Sequence, residues 1–470
     1  MLGLGASMIS AAAIDALNAL LAAVKARATT YENQDGTLTI IDEFTSDGLL
    51  DSATILTTPT AHSDAVLHSL KDGTSDSDFD VTSDTNATRI NENGLLEDIA
   101  ANQPRINYEP SASGVVANNA HILLEPTRTN LAVRSGDASQ WIWGQDSNTN
   151  STTRVDGQTD PYGGTSASQF TRNSGTGGWF SNANNPTGSA VDYTHSIFVK
   201  QPASNASDTI NMKNVSVSPN PQVTFTFSSE SFTTESNATG SFEKFPNGYY
   251  RISMTFANGS ASSAQVRHTL DDGEALIVFG IQLEEGSFST SYIPTTSSSV
   301  TRALDFIHSA GNTTLCNSTQ GTLYCEIQGL SVTTASVHVS VNGDVAGAGG
   351  KRWRNSCKIG IDTSNRVFGQ CRQGSSGTEI FKEVSASGTN AHTNYIKCAL
   401  KWKSDDIAFF HSGSKVGSTE TSPSSFYGAD EFDQCDFSRG GNSFRFFGKV
   451  KAVAVYTTAL SDSDMTALTN

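Results

Sequence analysis

Strand-like patterns of apolar and polar residues run along much of the chain after residue 120. Four of them, most with strict alternation, lie at residues 193–200, 222–227, 249–256 and 275–281. Because successive side chains of a strand point to opposite faces, alternation is typical of antiparallel strands with one buried face. Many short strands with no helices between them predict a β-sandwich or jelly roll.

A second series of strand patterns follows from about residue 303. Residues 321–327 form a good opening strand and residues 444–456 a closing one. Near the end of the chain, Ser461 and Asp464 have the spacing of an N-cap and a third helical residue, which is close to a capping box. We therefore expect a second sandwich followed by a short helix.

The one strong helical pattern lies near the start of the chain. Ile14, Leu17, Leu21 and Val24 recur at alternating spacings of three and four residues. This seam lasts only about two heptads, so the helix is marginal alone and should bundle with copies of itself or dock on another protein. We expect an attachment segment; a helix packed on its own chain is the alternative.

A chain of 470 residues exceeds what one hydrophobic core usually holds. The dipeptide Asn93-Gly94 favours a hairpin turn in the stretch that follows the helix. The predicted fold class is mainly β, with two antiparallel β-sandwiches after a helix and a connector. The predicted parts are residues 1–30 as the helical segment, 31–120 as a β- and turn-rich connector, 121–302 as the first sandwich and 303–470 as the second.

The charge of the chain narrows the range of partners. The formal net charge is −17 and only 16% of residues are charged. An acidic surface repels phosphates, so we expect neither nucleic acid nor an anionic membrane as a partner. The apolar stretch at residues 1–24 has no basic residues before it, and Asp15 and Asn18 interrupt it, so we expect neither a secretory signal nor membrane insertion.

All six cysteines lie in the last third of the chain, and none forms a C-x-x-C pair, which disfavours a zinc site. A hairpin folded about Ser364 would set Ile361 against Val367 and Cys357 against Cys371. The two cysteines would then be near enough for a disulfide. The alternative, which we favour slightly, is that both are free thiols packed as small hydrophobic residues.

No catalytic arrangement with useful spacing is evident. Glu284 and Glu285 are adjacent, and neighbours in a strand point to opposite faces, so they cannot form an acid–base pair across one sugar. The nine histidines are scattered without a metal-binding motif. We therefore expect no enzyme activity, no metal and no cofactor.

Aromatic residues remain as candidates for glycan contact, since a sugar ring can stack on an aromatic face. Trp143 lies in a strand pattern, and Trp179 and Phe180 lie in a glycine-rich stretch that should be a loop. Trp353 stands among charged residues that do not suit a core strand. For Trp179 and Trp353, exposed contact and packing are equally open. Trp141 is expected to belong to the sandwich core and Trp402 to be packed.

Two motifs bracket the first predicted sandwich. The sequence LLEPTRTNL occupies residues 123–131, and QLEEGSFSTSYIPTT occupies residues 282–296, followed by VTRA at 300–303. The pair resembles the motifs around a carbohydrate-binding-like β-sandwich in many virion proteins of tailed bacteriophages. The hairpin at residues 87–108 resembles an element of the same proteins, and the ending at 458–468 resembles the tail of concanavalin-A/laminin-G-like sandwiches.

The resemblance implies a structural protein of the virion, assembled in the host cytoplasm. Such a fibre, spike or decoration subunit would attach to other virion proteins through residues 1–30 and bind host-surface glycan. A homotrimer is the expectation at the level of the family. The alternative is a tail spike that degrades polysaccharide; a secreted bacterial adhesin would need an export signal.

Overall fold

The computed structural model describes residues 52–59, 62–63, 65–71, 75–109, 120–144, 152–175, 177–182, 185–188, 191–259, 261–330, 337–344, 351–440 and 444–470. Within them the chain is mainly β, with antiparallel sheets packed as sandwiches, which confirms the predicted fold class. The predicted helical segment at residues 1–30 lies outside the described residues. No helix in the described ranges is both long and apolar enough to cross a membrane.

The part of the chain before the first sandwich contains short strands. They are β1 (Ala53–Thr57), β2 (His62–Ser63), β3 (Val66–Leu67), β4 (Phe79–Thr82), β5 (Ala87–Ile90), β6 (Leu96–Ile99), β7 (Ile106–Tyr108), β8 (Ala120–Leu124) and β9 (Arg128–Asn130), with a 3-10 turn at Ser75–Ser77. Strands β5 and β6 form the hairpin that Asn93-Gly94 predicts. Gly94 has a φ of 72°, which a glycine adopts without strain.

The first sandwich consists of two six-stranded sheets in the orders β10-β13-β22-β16-β17-β18 and β11-β12-β23-β15-β20-β19. Its strands are β10 (Ile142–Gly144), β11 (Thr152–Gln158), β12 (Ala167–Arg172), β13 (Trp179–Ser181), β14 (Asn185–Pro186), β15 (Asp192–Lys200), β16 (Thr209–Asn214), β17 (Gln222–Thr226), β18 (Ser231–Ser236), β19 (Ala238–Lys244), β20 (Tyr249–Ala257), β21 (Ser263–Ala264), β22 (Val266–Leu270) and β23 (Ala275–Glu285). The short 3-10 turn Ala138–Gln140 precedes β10, and β24 (Val300–Arg302) follows the sandwich.

Burial in the first sandwich follows the side-chain pattern. In β16 and β17 every second residue is buried, because only one face meets the core. Strand β23 is buried at all but its last position. Its second face carries Ile277 and Phe279, which pack in one cluster with Ile90 and Leu96 of the β5–β6 hairpin.

The second sandwich places an eight-stranded sheet against a five-stranded sheet of order β30-β29-β28-β27-β34. The strands of this part of the chain are β25 (Phe306–His308), which pairs with β4 in a separate sheet, and β26 (Gln320–Gly329), β27 (Val337–Asn342), β28 (Ser356–Ile361), β29 (Val367–Gln373), β30 (Thr378–Val384), β31 (Ile396–Lys403), β32 (Ile407–His411), β33 (Ser414–Glu420), β34 (Gln434–Asp436) and β35 (Gly448–Tyr456), with a 3-10 turn at Arg352–Arg354 and the helix α1 (Asp462–Thr469).

Strands of the predicted connector complete the eight-stranded sheet. Its order is β33-β32-β31-β26-β35-β8-β7, and β1 also pairs with β35. Ile122 of β8 lies opposite Val450, and Leu56 of β1 lies opposite Ala454. The boundaries at residues 120 and 302 stay a prediction, but β1 and β7 belong to the sheet of the C-terminal unit and not to a separate connector.

The helix α1 begins as the sequence predicts. The Ser461 hydroxyl accepts a hydrogen bond from the backbone N–H of Asp464 at 3.2 Å. Met465 and Leu468 of the helix pack on the outer face of the eight-stranded sheet. The cap therefore fixes the start of the element that covers this face.

We expect Ser461→Ala to lower the free energy of unfolding by about 1 kcal/mol, because one N–H of the first turn loses its acceptor. Urea unfolding followed by circular dichroism measures this loss. Ser414→Ala, on the exposed start of β33, is the matched control and should leave stability unchanged. Equal stability of the two variants would contradict a capping role.

The predicted cysteine hairpin is confirmed in its register. Cys357 lies opposite Cys371, and Ile361 lies opposite Val367. Both cysteines are free and buried, with their Sγ atoms 2.7 Å apart. Both belong to the core cluster between the two sheets, as packed thiols would. A disulfide between them stays a prediction.

Candidate functional site

The two bracketing motifs meet in space. Strands β9 and β24 pair, so that Arg128 lies opposite Arg302 and Asn130 opposite Val300. The Asn130 side chain donates to the carbonyl of Ile293 at 2.8 Å and accepts from the N–H of Leu283 at 3.0 Å. The conformation of both motifs thus depends on one buried amide, and the ends of the first sandwich are neighbours.

A buried ion cluster lies beside this pairing and consists of Arg105, Glu125, Arg302 and Asp305. A carboxylate oxygen of Glu125 accepts from Arg302 at 2.6 Å and from Arg105 at 2.7 Å. Arg105 also contacts Asp305, and each of these side chains is no more than 5% exposed. Burial alone would raise the pKa of Glu125, but the charges of Arg302 and Arg105 outweigh it and hold that pKa well below its usual range.

The cluster connects segments that are far apart in the sequence. Glu125 follows β8 of the second sandwich, and its carboxylate accepts hydrogen bonds from the N–H and the hydroxyl of Ser291, at 2.8 and 2.7 Å. Ser291 lies in the loop after β23 of the first sandwich. The charged residues of the motifs therefore form the joint between the two sandwiches.

The adjacent acids Glu284 and Glu285 differ as predicted. Glu284 is buried and accepts a hydrogen bond from the N–H of Thr290 at 3.0 Å, whereas Glu285 is exposed. Glu284 thus fixes the loop after its own strand, and its contacts in the structure are those of a structural residue.

A cavity of about 200 Å³ adjoins the ion cluster between the two sandwiches. Its lining includes two carboxylates, Glu125 and Glu243, together with Arg251 and Lys449. Glu243 also lines this cleft, and desolvation by the protein around the cleft raises its pKa. Because both oxygens of Glu125 are engaged in the joint, the lining offers one free carboxylate, whereas glycosidases generally use two.

Two of the predicted glycan-contact residues are buried. Trp179 and Phe180 form the strand β13, so the prediction that they lie in a loop is wrong. Phe180 is 1% exposed and stacks between Phe170 and His268, with ring centroids 4.5 and 4.8 Å away. Trp179 is 8% exposed, and the guanidinium of Arg267 lies 4.0 Å from its ring centre. Rings covered in this way have no free face for a sugar.

The other tryptophans have varied positions. Trp143 lies in β10 opposite Phe180, and its side chain lies outside the described residues. Trp141 stacks on Phe170 in the core, and Trp402 is fully buried, as the sequence predicts.

Among the candidates whose side chains are described, Trp353 is the one that is not buried. It lies in the 3-10 turn before β28 and is half-buried. Three guanidinium groups surround the ring, from Arg439 at 4.7 Å, Arg354 at 5.4 Å and Arg372 at 5.7 Å from its centre. A partly exposed aromatic side chain among cations is compatible with contact with a polar ligand.

Next to Trp353, the five-stranded sheet carries a basic groove on the face turned away from the core. Successive side chains of β27 alternate between the two faces of the sheet, so Val337, Val339 and Val341 face the core and His338 faces the groove. The cavity has a volume of about 230 Å³. We define the basic groove by His338, Phe368, Arg372, Lys382, Arg439 and Phe444.

A buried lysine lies beside the groove. Lys358 is 0% exposed and stands opposite Gln370, which lines the groove. Its ammonium donates only a long bond of 3.4 Å to the Ser356 hydroxyl and forms no ion pair with a described carboxylate. Burial, helped by the charges of Arg372 and Arg439, lowers the pKa of Lys358 to about 7. Burial, followed by the charges of Lys358 and Arg439, holds the pKa of His338 well below 6.5.

Sequence patterns indicated only one member of this site, Trp353. The cations of the groove come from β29, β30 and the loop after β34, and only the sheet order brings them together. A usable signal was present, because Lys358 and His338 interrupt otherwise apolar strand cores.

Comparisons with known proteins add little. No family model matches the chain, and no curated protein matches it. Among solved structures, the CBM40 of a Ruminococcus gnavus IT-sialidase, bound to α2,3-sialyllactose, is 17% identical, with 33% of this chain and 86% of that chain covered and a TM-score of 0.28. A leech intramolecular trans-sialidase is 19% identical over 33% of this chain and 24% of that chain, with a TM-score of 0.27. A Trypanosoma rangeli sialidase is 10% identical over 32% and 22%, with a TM-score of 0.25. Likenesses this distant carry no argument about what this chain binds.

Proposed function

We propose that this chain is a structural subunit of a tailed-phage particle, a fibre, spike or decoration protein, that displays two β-sandwiches for adhesion to host-surface glycan. It attaches to other virion proteins through residues 1–30 and assembles as a homotrimer. One observation carries the proposal. The two motifs that resemble those of phage virion proteins pair with each other, and their charged residues form the joint between the sandwiches.

The joint supports a role in display over a role in catalysis. Glu125, Glu284 and Arg302 form buried hydrogen bonds that connect separate segments of the chain. A joint made of buried ion pairs and hydrogen bonds suits a protein that must present a surface. The exposed site with the chemistry for glycan contact is the region of Trp353 and the basic groove.

Locating the protein in purified particles tests the first half of the proposal. Mass spectrometry of density-purified virions should identify the chain at a fixed copy number, and immunogold labelling should place it on the particle surface. Absence from washed particles would refute the assignment. Release of reducing ends from host capsule by the purified chain would instead support the polysaccharide-degrading alternative.

We expect Trp353→Ala to weaken binding of host-surface polysaccharide by about tenfold, equivalent to ~1.4 kcal/mol, because the exposed part of an aromatic side chain is lost. Surface plasmon resonance with immobilised polysaccharide measures this change. Phe242→Ala, an aromatic residue that is 39% exposed on the first sandwich, is the matched control and should bind normally. An equal loss in both variants would contradict a specific role for Trp353.

A further inference from the structure

We propose that the basic groove binds an anionic group, a carboxylate or a sulfate, carried on a sugar of the glycan. The inference rests on the proposed function and goes further, because it assigns the adhesion site to the second sandwich and the ligand to acidic glycans.

Unpaired positive charge is the first argument. The chain as a whole has a formal net charge of −17, yet cations gather at this place. Within the described ranges, Lys382 and Arg439 line the groove and form no ion pair with a carboxylate. Arg372 has Glu379 at 3.4 Å, and Arg366 at the groove edge is paired with Asp362. Two lining cations without counter-charges, beside Arg372 with its long ion pair, create a positive potential that an anion would neutralise.

Polar nitrogens without a hydrogen-bond partner are the second argument. His338 is 4% exposed, lines the cavity, and has no hydrogen-bond partner at Nδ1. The guanidinium of Arg439 lies 3.9 Å from the centre of the Phe444 ring and 4.7 Å from that of Trp353. Its Nε is buried and likewise has no partner. Contact with the two rings restrains the guanidinium before a ligand arrives, and a planar fork of N–H donors matches the oxygens of a carboxylate or sulfate.

At the floor of the groove, a glycine lets two aromatic rings lie close to the strand backbone. His338 lies opposite Gly360 across the sheet, and Gly360 lies opposite Phe368. A Cβ at Gly360 would come within 2.6 Å of the Phe368 ring and 2.9 Å of the His338 ring. The glycine therefore allows both rings to lie over the strand, which leaves an apolar wall beside the polar donors, as a sugar with one charged substituent requires.

The size of the cavity limits the ligand. Its volume of about 230 Å³ is below the ~300–1,000 Å³ of pockets for drug-sized molecules. A single charged sugar unit fits this space, and Trp353 at the rim can contact the next unit of the chain. A nucleic acid is disfavoured as the source of the anion by the net charge of −17 on the chain as a whole.

Calorimetric titration of the full-length chain tests the proposal. The probes are oligogalacturonate, its carboxyl-reduced neutral form, a dextran sulfate oligomer, neutral dextran and inorganic sulfate. We expect the charged oligosaccharides to bind, with an affinity that falls as salt is raised. Arg439→Gln and Lys382→Gln should each weaken binding by about 10- to 100-fold, as loss of a charged hydrogen bond does.

Lys403→Gln is the matched control, because Lys403 is exposed on β31 in the opposite sheet of the same sandwich. Thermal unfolding confirms that each variant is folded. Equal affinity for oligogalacturonate and its neutral form would overturn the anionic assignment and leave glycan adhesion standing. Binding of inorganic sulfate as tight as that of the sulfated sugar would overturn recognition of a sugar. If neither these probes nor host-surface polysaccharide bind, the proposed adhesion function itself fails.

Discussion

Arg302→Met is expected to lower the free energy of unfolding by about 3–5 kcal/mol, the largest loss that a single change in this chain should produce. The substitution leaves Glu125 and Asp305 buried with one arginine in place of two. A carboxylate in the interior that loses its partner retains the desolvation cost without the compensating attraction. Because Arg302 also donates to the carbonyl of Pro126 at 2.8 Å, the joint loses a backbone anchor as well.

Urea unfolding, followed by both fluorescence and circular dichroism, measures this loss. Two probes are needed because a chain of several domains need not unfold in one step. Arg366→Met is the control, since its pair with Asp362 is partly exposed and should change stability by less than about 1 kcal/mol. A loss of similar size for both variants would show that the ion cluster is not what holds the joint.

Lys358→Met is expected to act in the opposite direction and raise stability by about 1–4 kcal/mol near pH 7. An ammonium without a carboxylate partner in a buried position is a cost to the folded state, and an apolar side chain of similar size removes that cost. The pH dependence of the free energy of unfolding tests whether the charge of Lys358 is the cause. The folded-state pKa of about 7 lies below the value of about 10.4 in unfolded chains, so the unfolded state binds more protons between these limits.

The free energy of unfolding of the unmodified protein should therefore include a contribution from Lys358 that rises from about pH 7 to pH 10. The methionine variant should lack this contribution. Thermal unfolding of both proteins across this range, compared as a difference, isolates it from other titrating groups. Lys403→Met is the control, because an exposed lysine gives no such difference. A methionine variant that is less stable at every pH would mean that Lys358 has a stabilising partner.

Local features of the fold could be predicted from the sequence because local patterns determine them. The register of Cys357 with Cys371 follows from the turn between their strands, and the start of α1 follows from Ser461. Trp179 and Phe180 show where such patterns fail. Glycines around them indicate a loop, but pairing with β10 and β22 supplies the hydrogen bonds of a strand, and packing on the core overrides the local preference.

Sites formed by segments that are far apart in the sequence could not be predicted from local patterns. His195 and His268 are scattered in the sequence, yet their Nε2 atoms lie 3.0 Å apart in the core, where burial holds both pKa values below 6.5. The basic groove has the same origin, because neighbouring strands bring its cations together only once the sheet has formed. Pairing of β1 with β35 joins residues about 400 positions apart, for which one sequence contains no readable signal.

The pairing of β9 with β24 makes residues 131–299 a closed excursion that leaves and rejoins the rest of the chain at adjacent points. The entropy cost of closing such an excursion grows only slowly with its length. Changes of length in the parts of the excursion that make no contact with the joint or the β5–β6 hairpin therefore leave its two points of departure where they are. A lineage can diversify this module while the framework that carries it keeps its shape.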